Sequence, residues 1–127
     1  MADDLSFTTE PLDRDRIRQF SLAMQDPNPV HLDDDFARSI GLQGVIAPGG
    51  LAVVAMAHAV VRRYGIEAIR EIDVSFKAPM QAGEQLVCTA EVVESAGETI
   101  TLSCRATNPA GDLRAQGVIR VAPPSAV

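Results

Sequence analysis

The chain has 127 residues, 46% apolar and 22% charged, which suits one soluble globular domain with its own core and excludes a disordered chain. Its 17 acidic residues outweigh 11 basic ones, for a net charge of −6, and Lys77 is the sole lysine. Nucleic acid is therefore not expected as a partner, since neutralising phosphates takes clustered Lys and Arg.

The opening Met-Ala-Asp-Asp lacks the basic and apolar regions of a secretory signal, so a cytoplasmic location is expected. Leu5 to Glu10 reads as a short strand. Asp13 then fits the N-cap of a helix carrying Ile17, Phe20 and Met24 at helical spacing. That helix delivers the chain to Asp26-Pro27-Asn28-Pro29-Val30-His31, where a carboxylate, an amide and an imidazole lie among two prolines. Proline fixes its own φ and restricts the residue before it, so the segment is stiff. A general acid/base pair needs such stiffness, although a surface turn whose Asp and Asn bond their own backbone is equally consistent with the spacing.

Asp33 to Ile40 starts with three acidic residues, as a helix N-terminus favours, and Gly41 is placed to stop it. Pro48 fits the first position of the next helix, with Gly49 and Gly50 in the first turn. From Leu51 to Val61 this helix is apolar nearly all round and is expected to be enclosed on most sides. At about half the length of a membrane span, it reads as a buried helix, and no membrane association is expected. Arg62, Arg63 and Gly65 suit its end.

The rest reads as strands. Glu71 to Ala78 alternates, with Ile72, Val74, Phe76 and Ala78 expected to face the core. Gln85 to Glu94 and Thr99 to Thr107 follow, joined at Ser95-Ala96-Gly97. A three-residue loop there sets Val92 opposite Ile100, Ala90 opposite Leu102 and Cys88 opposite Cys104. Asn108-Pro109-Ala110-Gly111 is a turn into Asp112 to Val121, whose inward residues are Leu113, Ala115, Gly117, Ile119 and Val121. A short Ala/Pro/Ser tail follows Val121. The two cysteines are too few for a zinc site and read as reduced core thiols, so no metal is expected. One apolar helix wrapped by a curved, mainly antiparallel sheet is an α+β hot-dog architecture, as a single domain spanning residues 1–127.

At this point the chain resembles the MaoC-like dehydratases and (R)-specific enoyl-CoA hydratases, which are hot-dog proteins. The likeness rests on Asp26 to His31 as a D-x-N-P-x-H pattern, on Leu32-Asp33, Phe36-Ala37 and Val45-Ile46-Ala47, and on Val74 to Pro79 with Gly83-Glu84. It implies reversible hydration of trans-2-enoyl thioesters to (3R)-3-hydroxyacyl thioesters, carried by coenzyme A or acyl carrier protein, with no metal or redox cofactor. Asp26 and His31 match the catalytic pair, with His31 the preferred base because imidazole titrates near neutral pH. Gly49 matches the oxyanion-hole glycine at a helix N-terminus, and Asn28 is a supporting residue. Gly50 and Ala57 are further candidates for substrate contact.

Two positions depart from the pattern. Pro48 stands where the family has a histidine, and Ala57 where some members have a serine. His58 is read as an interior histidine. Arg62, Arg63 and Lys77 are candidates for a carrier phosphate, with a solvated face the preferred reading. A lone domain of this type leaves a sheet edge open, so a homodimer is expected, with a heterodimer of related subunits as the alternative. Two other functions stay open, a hot-dog thioesterase and a non-catalytic acyl-binding subunit. The first normally places a carboxylate on or beside the central helix, and residues 48–65 contain no Asp or Glu.

Overall fold

The computed structural model describes residues 5–123, so the acidic start and the end of the Ala/Pro/Ser tail lie outside the described residues. Five strands, β1 (Ser6–Thr8), β2 (Ile69–Phe76), β3 (Val87–Ala96), β4 (Thr99–Thr107) and β5 (Leu113–Val121), form one antiparallel sheet in the order β1-β3-β4-β5-β2. The long helix α3 (Gly49–Tyr64) lies across all five strands. Its buried face is Ala52, Ala55, Met56, Ala59 and Val60, against Leu86, Cys88, Leu102, Cys104 and Ile119. Three alanines on that face let the helix axis come close to the sheet. A helix laid over one antiparallel sheet is the hot-dog arrangement that the pattern of apolar residues implies.

Two shorter helices, α1 (Arg14–Ala23) and α2 (Asp34–Ser39), precede α3. Asp13 caps α1 by accepting from the Arg16 N–H at 2.8 Å, and Asp33 caps α2 through the N–H groups of Asp35 and Phe36. Gly41, at φ +97°, follows the end of α2 as expected.

Four details differ from the sequence reading. Pro48 is the N-cap of α3, not its first helical residue, because its ψ of 145° is extended. The helix is not enclosed on most sides. Val54 and His58 form an open stripe, with the His58 ring 4.1 Å from that of Phe7, so His58 is a surface residue. The face of β2 is also less covered than its alternation implies: Val74 is half-buried, but Ile72 and Phe76 are 40% and 56% exposed. β2 is the last strand of the sheet, and alternation reports which face is apolar without reporting what covers it.

The fourth difference is the β3–β4 register. Ala96 pairs with Thr99, leaving Gly97-Glu98 as a two-residue turn with Gly97 at φ +62°. By itself that turn would set apolar against polar positions. A bulge between Val92 and Glu94 supplies one extra residue and restores the alternation. Val92 therefore faces Leu102, Ala90 faces Cys104 and Cys88 faces Ala106, so the two free thiols are diagonal neighbours and not a facing pair. At the other edge β2 approaches β5 so closely that a Cβ on Gly117 would stand 2.0 Å from the Asp73 carbonyl oxygen.

Candidate active site

The segment Asp26 to His31 is held from both ends. Beyond α1 the chain turns at Gln25, a non-glycine residue at φ +56°, and the Asp26 N–H donates to the Ser21 carbonyl at 2.8 Å. Ser21 is fully buried, and its hydroxyl donates to the Asp26 carbonyl. Next, the Asn28 side-chain oxygen accepts from the Val30 N–H at 3.0 Å, capping a single turn of 3-10 helix at Pro29–His31. Asn28 thus bonds its own loop through its amide.

A second strand of chain is stitched to this loop. The Ile46 N–H donates to the Val30 carbonyl at 3.1 Å, and His31 Nδ1 lies 2.8 Å from the Ile46 carbonyl. A carbonyl only accepts, so Nδ1 carries the hydrogen and a neutral His31 presents its lone pair at Nε2. Nε2 faces Asp26 Oδ2 at 3.5 Å. The imidazole side chain is 10% exposed and the carboxylate 51%, so an enclosed imidazole faces an accessible carboxylate. Asp34 steadies the approach to Ile46. Its carboxylate accepts from the Val45 N–H at 2.9 Å and from Arg14 at 2.9 Å, and these bonds, Val45 first, hold its pKa below the ordinary carboxylate value.

The backbone half of the site is the start of α3. Pro48 provides no side-chain cap, and among the described residues the N–H groups of Gly49 and Gly50 have no acceptor. These donors lie at the positive end of a sixteen-residue helix, where an oxygen bearing developing negative charge is stabilised. Gly49 and His31 line one cavity of about 440 Å³, walled by Ile46, Phe76 and Met80, with Lys77 and Arg114 supplying its cations. The structure therefore sets Asp26 beside His31 and places His31 and Gly49 on one cavity, whose lining does not include Asp26. Gly50 packs instead against the Phe20 ring, and Ala57 lies two turns along α3, about 12 Å from Gly49 at 1.5 Å per residue, outside the cavity lining. Arg62 and Arg63 are at the far end of the helix, whereas Lys77 borders the cavity.

Three residues escaped the sequence reading. Ser21 could have been found as a polar residue one turn after Ile17 on the buried stripe of α1. Arg114, which lines the cavity, donates two bonds to Glu84, at 2.7 and 3.1 Å, and this largely enclosed pair holds it in place; nothing in the spacing links positions thirty apart. Phe76 was read as a core residue and instead borders the cavity.

Residues 3–110 match the family described as MaoC like domain. The chain belongs to this family. Among curated proteins, this MaoC-like chain is 32% identical over 92 residues to a UPF0336 protein of Clavibacter michiganensis, covering 65% of the chain and 62% of that protein. It thus spans less than two thirds of that relative's length. Among solved structures it resembles the R-hydratase PhaJ1 from Pseudomonas aeruginosa, with a TM-score of 0.85 at 24% identity, covering 95% and 79% of the two chains. It also resembles a chain of the ChsH1-ChsH2 complex from Mycobacterium tuberculosis, with a TM-score of 0.85 at 19% identity, covering 94% and 93%. At these identities the structural likeness shows the hot-dog fold, and the MaoC-like match shows the dehydratase family.

Proposed function

We propose that this protein catalyses the reversible addition of water to trans-2-enoyl thioesters, giving (3R)-3-hydroxyacyl thioesters. The observation that carries the reading is one cavity lined by both His31, with its tautomer fixed, and Gly49, with its unclaimed backbone donor, while the Asp26 carboxylate stands 3.5 Å from His31 Nε2. In the forward direction the thioester carbonyl oxygen is received by the start of α3, which draws electron density from the β-carbon. His31 Nε2 takes a proton from water as its oxygen bonds to the β-carbon. The π bond breaks, and the proton now held by the Asp26–His31 pair passes to the α-carbon, which returns the pair to its starting state. The (R) configuration follows the hydratase likeness. Only water is added or removed, so the reaction as written calls for no redox cofactor. The carrier is coenzyme A or acyl carrier protein, and we place the reaction in the cytoplasm.

The test is to mix the purified protein with crotonyl-CoA and follow both the conjugated-thioester absorbance and the release of free thiol. Loss of absorbance without thiol supports hydration. Thiol release would mean hydrolysis, and neither signal would favour a non-catalytic subunit.

The same reading includes a homodimer. β2 ends the sheet, leaving Ile72 and Phe76 exposed, and antiparallel pairing of two copies about Val74 would oppose Ile72 to Phe76 and Glu71 to Lys77. Lys77→Glu should weaken a dimer measured by light scattering, and adding Glu71→Lys should recover it. A monomeric wild type, or a dimer indifferent to both changes, would count against this interface and leave a heteromer as the alternative.

A further inference from the structure

Phe76 is the aromatic residue nearest the backbone of the site. A Cβ built on Gly49 would stand 2.6, 2.9 and 2.9 Å from three atoms of its ring, so the ring rests directly on the first residue of α3. Within one subunit burial does not explain that position, since the side chain is 56% exposed. Its stem, however, is fixed. Phe76 pairs with Ala115 in the sheet, and the N–H groups of Lys77 and Ala78 both donate to the Arg114 carbonyl at 2.8 and 3.3 Å. Arg114 is itself held by two bonds from its guanidinium to Glu84. The ring can pivot about its own side-chain bonds, but its backbone cannot retreat.

We propose that Phe76 is a specificity-determining wall that admits thioesters unbranched at the α-carbon and excludes those carrying an α-methyl group. This rests on the oxyanion role given to Gly49 above. A carbonyl oxygen taken by that first turn brings its carbonyl carbon against the ring, and the two atoms bonded to that carbon are the sulfur and the α-carbon. The sulfur leads to the carrier and is the same in every substrate. Substrate choice at this wall therefore falls on the α-carbon, where a hydrogen clears the ring and a methyl group meets it. One methyl or methylene misfit in an apolar pocket changes selectivity by roughly 10–200-fold.

The experiment compares kcat/KM for crotonyl-CoA and its 2-methyl homologue, tiglyl-CoA, in the wild type, Phe76→Ala and Phe76→Leu. The wild type should favour crotonyl-CoA at least tenfold, within the range expected for one methyl group. Phe76→Ala should bring the ratio towards one through a gain on tiglyl-CoA, with Phe76→Leu between. Phe76→Leu keeps an apolar side chain at the position and serves if the alanine variant does not fold. Calorimetric binding of the unreactive butyryl-CoA and 2-methylbutyryl-CoA to the same proteins reads the wall without catalysis. A binding preference lost in Phe76→Ala supports the wall even if the wild type turns over neither enoyl thioester, in which case the hydratase reading fails alone. Wild-type turnover with the same ratio in every variant, or no preference in either assay, overturns the role of Phe76 and leaves the hydratase reading intact.

Discussion

Asp26 and His31 should separate when activity and stability are measured side by side. The Asp26 carboxylate is half exposed, and among the described residues its polar side-chain contact is with His31; its backbone is held independently by Ser21. Asp26→Asn keeps the shape and removes only the charge and proton capacity, so unfolding free energy should change by no more than about 0.5 kcal/mol. His31→Ala removes an enclosed ring and strips the Ile46 carbonyl of its donor at 2.8 Å. An unsatisfied enclosed carbonyl costs about 1–3 kcal/mol. For a chain of this size that is a fall in melting temperature on the order of 5–10 °C. Both variants should lose at least ~10²-fold in crotonyl-CoA turnover, the usual worth of a positioned acid or base. Thermal unfolding by circular dichroism and initial rates on the same preparations give the two axes. Full turnover in Asp26→Asn, or an unchanged melting temperature in His31→Ala, would refute the assignment of one residue to chemistry and the other to chemistry and structure together.

Ser21→Ala should lower kcat about tenfold by loosening Asp26, since small misplacements of a catalytic group cost that much or more; an unaltered kcat would mean that the Asp26 N–H bond to the Ser21 carbonyl suffices. Burial pushes the Cys88 thiol up to about 12 and Cys104 up to about 11. Both values lie above the ordinary 9.0, so the folded state holds more protons, and this contribution to stability is intact below pH 9 and lost as pH rises towards 11–12. The native thiols should not react with a disulfide reagent at pH 8, and the melting temperature should be lower at pH 10 than at pH 8. Gly117→Ala would drive a methyl group into the backbone of Asp73 and Val74, and urea unfolding should show a loss of about 3 kcal/mol or more, at or beyond the usual upper end for overpacking; a wild-type midpoint would mean that β2 can shift away at little cost.

The helices and strands were legible because each carries its own period: Ile17 and Phe20 share a stripe of α1, and Ala115, Ile119 and Val121 share a face of β5. The closeness of Asp26 and His31 was legible too, since the four residues between them, two of them prolines, leave little freedom to part. What escaped depends on contacts distant in sequence. The bulge near Val93 was hidden because two errors of one residue, a shorter turn and an extra bulged residue, cancel in the alternation and still move every pairing by two. The exposure of Phe76 depends on β2 lying at the edge of the sheet, and that of Val54 and His58 on the sheet covering only one side of α3. Neither fact is written in β2 or α3.

The bonds that fix His31 end largely on main-chain atoms: the carbonyls of Asn28 and Ile46, and beyond them the Val30 carbonyl that accepts from the Ile46 N–H. Every residue type offers the same carbonyl. Positions 30 and 46 can therefore exchange side chains without moving the imidazole, and cavity shape is free to drift while the acid–base geometry stays in place. Among the described residues Ser21, Asn28 and Asp34 contribute side-chain bonds to this frame, and at those positions the tolerance ends.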